Sequence, residues 1–169
     1  VKSRGLGDVY KRQSVGVPAL GSAGWGSCDP SDIRNRRQRC AVLVEVNDTT
    51  ILVDAGPDIR NQLLPHQLTK IDAVLITHTH SDHVAGLDDL RAFYWPERND
   101  IKVYATAHHG KDIVTRFPYL FMKKQNSPSY FVPPMVMHQI DAGTQISIGG
   151  CKIDILHQEH GSSTSLGFI

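Results

Sequence analysis

A chain of 169 residues, 40% apolar and 21% charged, has the material for one globular domain with a real core and lacks the composition of a disordered chain. Its 18 basic and 17 acidic side chains leave a formal charge of +1, which excludes general attraction to polyanions; a nucleic-acid contact would need a local basic patch. Cys28, Cys40 and Cys151 are odd in number and lack CxxC spacing, no apolar run nears the ~20 residues that span a bilayer, and the amino end lacks a signal-peptide pattern, so a reducing, cytoplasmic protein without membrane contact is expected.

Val1 to Gln13 carries two Gly and five charged residues without a sustained period and reads as a non-native or disordered leader; the domain is expected from 14 to 169. Gly21 to Pro30 is a loop by its Gly, Ser and Pro content. Arg34 to Arg39 is the densest basic run; it reads as a solvated face, with the alternative that one Arg near a site holds a phosphate. Cys40–Val46 and Thr50–Val53 are β-rich and form a predicted hairpin across Asn47-Asp48-Thr49. Asp54 either ends the second strand or orients a metal-binding His, and Pro57 stands near the start of a short helix running to Leu64.

The apolar run Ile71 to Ile76 reads as a buried strand, and His78, His80, Asp82 and His83 follow it directly. Side chains at the carboxyl end of such a strand project from a rigid base into a crevice, where α/β sheets place their ligands. Three imidazoles and a carboxylate within six positions suit zinc, manganese or iron, and no thiolate in the cluster restricts the choice. On an extended segment His78 and His80 share a side and would clamp one ion, while Asp82 and His83, after the chain turns, would reach a second.

Beyond the cluster, Leu87, Leu90 and Tyr94 space the stretch Val84–Trp95 as a helix packed on the sheet. Ile101–Ala105 is the next strand, followed by a helix from Thr106 to Arg116 whose first turns carry His108 and His109, both expected at the surface. Phe117 to His138, rich in Pro and aromatics, shows no clean period and reads as a long loop, bordering a cleft or covering core. Gly143–Ile148 and Cys151–Leu156 form a second predicted hairpin across Gly149-Gly150.

His78-Thr79-His80-Ser81-Asp82-His83 resembles the HxHxDH signature of the metallo-β-lactamase fold hydrolases. Val53 to Leu64 and Gly86 to Arg91 resemble the branch that contains phosphoribosyl cyclic phosphate phosphodiesterase, a relative of the transfer-RNA 3′-processing endonucleases. The resemblance implies an α/β fold, an αββα sandwich of which this chain holds the first half and the start of the second, and a sequence truncated at both ends. It also implies that His160, or alternatively His157, completes the ligands of the first ion. In the phosphodiesterase the Gly-rich loop supplies cysteines to a structural zinc; Cys28 alone corresponds here and is read as a structural thiol.

The implied function is metal-dependent hydrolysis of a small, cyclic phosphodiester, with two divalent ions, zinc or manganese, held by His78, His80, Asp82, His83 and His160. Asp82 would ligate and also orient the water that attacks. Nucleic acid is the second choice of substrate, as in a tRNA-processing nuclease. A non-catalytic alternative is a biosynthetic accessory protein of the same fold, because a relative in quinone-cofactor synthesis shares the Pro57 to Arg60 stretch; its degraded metal motif contrasts with the intact one here. A chain ending at Ile169 is expected to bind the second ion weakly, expose apolar sheet, and be inactive or poorly soluble alone.

Overall fold

The computed structural model describes residues 2–5, 14–161 and 163–169. The predicted leader therefore lies outside the described residues except for Lys2–Gly5, whose backbone forms strand β1 against Val42 to Glu45. The six-stranded sheet runs in chain order, β1, β2 (Val42–Val46), β3 (Thr49–Val53), β4 (Ala73–Leu75), β5 (Ile101–Ala105) and β6 (Met135–Gln139). Its first three strands are antiparallel and β3 to β6 are parallel. A smaller sheet of β7 (Gln145–Ile148), β8 (Cys151–His160) and β9 (Ser163–Phe168) is antiparallel throughout.

Parallel strands are covered on both faces, which accounts for the unbroken apolar run at β4, where Ala73, Val74 and Leu75 are all buried. On one face Leu43, Leu52, Val74 and Val103 pack against the helical layer through Ile59, Leu63, Leu87, Leu90 and Ile113. On the other, Ile51, Ala73 and Leu75 meet Ile148 and Ile153 of the small sheet. Helices, large sheet and small sheet are thus stacked as three layers, the α/β architecture expected. The predicted hairpins both form: Asn47 turns the first with φ 52°, and Gly149 and Gly150, at φ 55° and 81°, turn the second. Two consecutive positive φ values match the twist of the flanking strands, and glycine adopts them without steric cost.

Two expectations are corrected. The stretch predicted as one helix from Val84 to Trp95 is split into a short helix α2 (Ser81–Val84), placed after α1 (Ile59–Leu63), and a 3₁₀ run over Leu87–Phe93. Bonds from Asp89 N to Gly86 O and from Tyr94 N to Arg91 O close the tighter turns, and residues three apart then align, so Leu87 and Leu90 are both buried. The segment from Phe117 to His138 holds a helix, α4 (Pro118–Phe121), and all but the last residue of β6. Leu120 and Met135 are buried in the core, so part of this segment covers core. Between β5 and α4, helix α3 (Ala107–Arg116) is capped by Thr106, whose side chain accepts from His109 N.

Candidate metal centre

The centre is assembled at the carboxyl end of β4. Ile76 N still bonds to Tyr104 O of β5, and the chain then leaves the sheet through Thr77 to His80 and enters α2. Two glycines let the turn at Asp54 to Gly56 lie directly against α2: a Cβ on Gly56 would collide with the Asp82 carbonyl, and one on Gly86 with the Gly56 carbonyl. Ala55 N donates to His83 O and Gly86 N to Ala55 O, which locks the two segments together.

Asp54 is the hub. Its backbone is left-handed at φ 61°, it is 4% exposed, and its carboxylate accepts from Thr77 N at 2.8 Å and Thr77 Oγ1 at 2.7 Å. The same carboxylate meets His83 Nδ1 at 2.7 Å. Of the two roles weighed for Asp54, orienting a histidine is the one its contacts serve. With Nδ1 engaged, His83 turns Nε2 toward Asp82 Oδ2, 3.4 Å away. Burial alone lowers the His83 pKa, but the hydrogen bond and charge of Asp54, with Asp82 behind it, outweigh that and leave it raised.

His78 and His80 place Nε2 and Nδ1 3.1 Å apart, and the strand end of β8 brings His160 to them, with ring centroids 4.7 Å from His78 and 5.3 Å from His80. One nitrogen from each of these three rings lies within 4.8 Å of the others. His157, three residues earlier on the same strand, is outside this group. Desolvation, followed by the neighbouring rings of His83, His80 and His160, pushes His78 down to about 3, so it is neutral near pH 7 with a lone pair to give. Three imidazoles converging on one point, with a carboxylate and a fourth imidazole alongside, fit a divalent cation in both donor chemistry and reach.

His109 is corrected from surface to buried, at 5% exposure, whereas His108 is exposed as expected. Of the basic run, Arg34 pairs with Asp32 at the surface, and Arg39 forms a two-pronged pair with Asp58, Nε to Oδ2 at 2.8 Å and Nη2 to Oδ1 at 2.5 Å. Arg39 passes beside the turn at Gly56 that abuts Asp82. Cys28 is a half-buried thiol. Thr77 and Arg116 escaped the sequence reading. Thr77 carries a hydroxyl bonded to both Asp54 and His78 Nδ1, and Arg116 Nη1 donates to the Thr79 carbonyl at 2.7 Å. Neither belongs to a periodic or motif signal; only proximity in the fold reveals them.

Residues 49–169 match the family model for the beta-lactamase superfamily domain. Over 157 residues the chain is 32% identical to a Porphyromonas gingivalis octanoyltransferase, a match covering 92% of this chain and 30% of that protein. It is 31% identical, also over 157 residues, to a ribonuclease Z of Bradyrhizobium diazoefficiens, covering 89% of this chain and 49% of the relative. A solved diphosphatase of the PhnP family superposes with a TM-score of 0.81 at 29% identity, over 99% of this chain and 60% of that one. The chain thus spans about half or less of the curated relatives named here. Sequence match, layer order and the histidine-bearing corner after β4 agree: the chain belongs to the beta-lactamase superfamily, with the metallo-β-lactamase fold.

Proposed function

We propose that this protein is a metal-dependent hydrolase of phosphodiesters, acting on a small, cyclic substrate. The observation that carries the reading is the convergence of His78, His80 and His160 at the end of β4. The likeness to a PhnP-family diphosphatase and to a ribonuclease Z favours phosphoester chemistry over the other reactions one fold can host. His78, His80 and His160 would hold one divalent ion, and Asp82 with His83 Nε2 a second, zinc or manganese in each case. Ions so held would supply Lewis acidity toward phosphoryl oxygens and lower the pKa of a bound water. Asp82 would accept a hydrogen bond from the attacking water and aim it, while Asp54, engaged with His83 Nδ1, would keep the tautomer that leaves Nε2 free for an ion. The three thiols, Cys28, Cys40 and Cys151, fit a cytoplasmic setting.

The test is metal content and hydrolysis of a cyclic phosphodiester by the full-length protein and by its H80A and D82A variants. Both variants are expected to lose at least about 100-fold in kcat while keeping the far-ultraviolet spectrum of the parent. Retained turnover in D82A would reject its role. A transfer-RNA substrate is the second reading, favoured by the ribonuclease Z match. An RNA substrate would make kcat/KM fall steeply with added salt, and a small diester would not.

A further inference from the structure

Helix α3 approaches the histidine loop from outside the cluster. Its residues His109 and Arg116 are seven apart, two turns along one face, and His109 is buried while Arg116 reaches the loop. The Arg116 guanidinium is held from within the helix: Nε bonds to Asp112 Oδ1 at 3.0 Å and Nη2 to Asp112 Oδ2 at 2.7 Å. That two-pronged grip fixes the plane of the group and aims Nη1 at the carbonyl of Thr79, 37 residues away in sequence. Thr79 is the residue between His78 and His80.

Three other peptide groups of this loop have anchors of their own. Thr77 N is held by Asp54, Thr77 O by Leu166 N, and His80 O by His83 N. The Thr79 carbonyl is held by Arg116. An exposed i,i+4 pair such as Asp112–Arg116 contributes little to stability by itself. A pair that presents a third, rigid donor to main chain between two histidines has a different use. We propose that Arg116, braced by Asp112, is a positioning residue for the metal centre: it fixes the Thr79 peptide and with it the separation of His78 and His80. The proposal rests on the reading of those two histidines as ligands.

The experiment compares the full-length parent with R116A, R116K and D112N in two measurements. The first is the Zn²⁺ dissociation constant, by competition with a chromophoric chelator. The second is hydrogen exchange at residues 79–81 in metal-free protein. R116A is expected to weaken Zn²⁺ binding by about 10-fold or more, with D112N and R116K intermediate. Exchange at residues 79–81 should quicken while the metal-free melting temperature moves by less than roughly 2 °C. A general stabilising role would instead lower the melting temperature and quicken exchange throughout α3, which overturns the proposal, as does a Zn²⁺ affinity equal to that of the parent. If R116A does not fold, R116Q is judged by the same criteria. A parent that binds Zn²⁺ but hydrolyses no phosphodiester sinks the functional reading and leaves this one standing. If the parent binds no Zn²⁺, the proposal as stated fails, whatever the exchange data show of the loop.

Discussion

Asp54 shows how much of this centre rests on one side chain. Its carboxylate serves Thr77 twice and His83 once from a buried position, so Asp54→Asn, which tolerates the left-handed backbone, removes charge and one acceptor without adding strain. Hydrogen bonds to charged groups contribute about 1.5–3 kcal/mol each, so D54N is expected to destabilise by about 2–4 kcal/mol in urea denaturation and to weaken metal binding as His83 loses its brace. His78 makes metal-free stability depend on pH. Its folded value of about 3 lies below the ordinary 6.5, so between those limits the unfolded chain takes up a proton that the folded one refuses. Stability is therefore expected to fall as pH drops below about 6.5, by up to about 1.4 kcal/mol per unit. His109, lowered by burial and by His108, adds in the same direction. His83, raised, acts oppositely: its contribution is full below 6.5 and is lost as pH rises through its folded pKa. Melting curves of metal-free protein at pH 5 and pH 7 check the net sign, and H78Q should flatten the acid limb.

At the scale of elements, the centre depends on backbone passing close to backbone. Gly86 lies against the Gly56 carbonyl and 2.6 Å, measured from an added Cβ, from Ile59 Cγ2. Neither obstacle is the end of a flexible side chain, so Gly86→Ala is expected to cost at least about 3 kcal/mol, seen as a drop in denaturation midpoint, and to displace α2 with Asp82 and His83. Gly143→Ala offers a control, since a Cβ there meets nothing within 4 Å, and only its φ of 81° opposes the change. Thr106→Ala removes the cap of α3, whose side chain accepts from His109 N; about 1 kcal/mol should be lost.

For the molecule as a whole, the interlayer space matters. A cleft of about 860 Å³ opens between the two sheets, lined by Val42, Val44, Val53, Ile153 and Phe168 among others. The lining is mostly apolar side chains, the chemistry that suits an apolar probe. An environment-sensitive apolar dye is expected to bind saturably, and Val44→Lys to reduce its fluorescence gain at least about 3-fold, as burial of a charge there is unfavourable. Among the described residues, no helix is long and apolar enough to cross a membrane.

The sequence alone determined what is written in local chemistry. The buried strand at Ala73 to Leu75 follows from an unbroken apolar run, the turn at Gly149-Gly150 from two residues free to take positive φ, and the candidate metal-binding side chains from the HxHxDH spacing. Tertiary structure decided the matters that depend on distance rather than order. It brought His160 rather than His157 to His78, because β8 runs on to its last residue before turning. It buried His109, whose helical face no local pattern distinguishes from that of His108, and it tightened Leu87–Phe93 into 3₁₀ turns. It also set Arg116 on Thr79, a contact between segments 37 residues apart. Periodicity reports which side of an element is apolar; only packing reports which polar groups then come face to face.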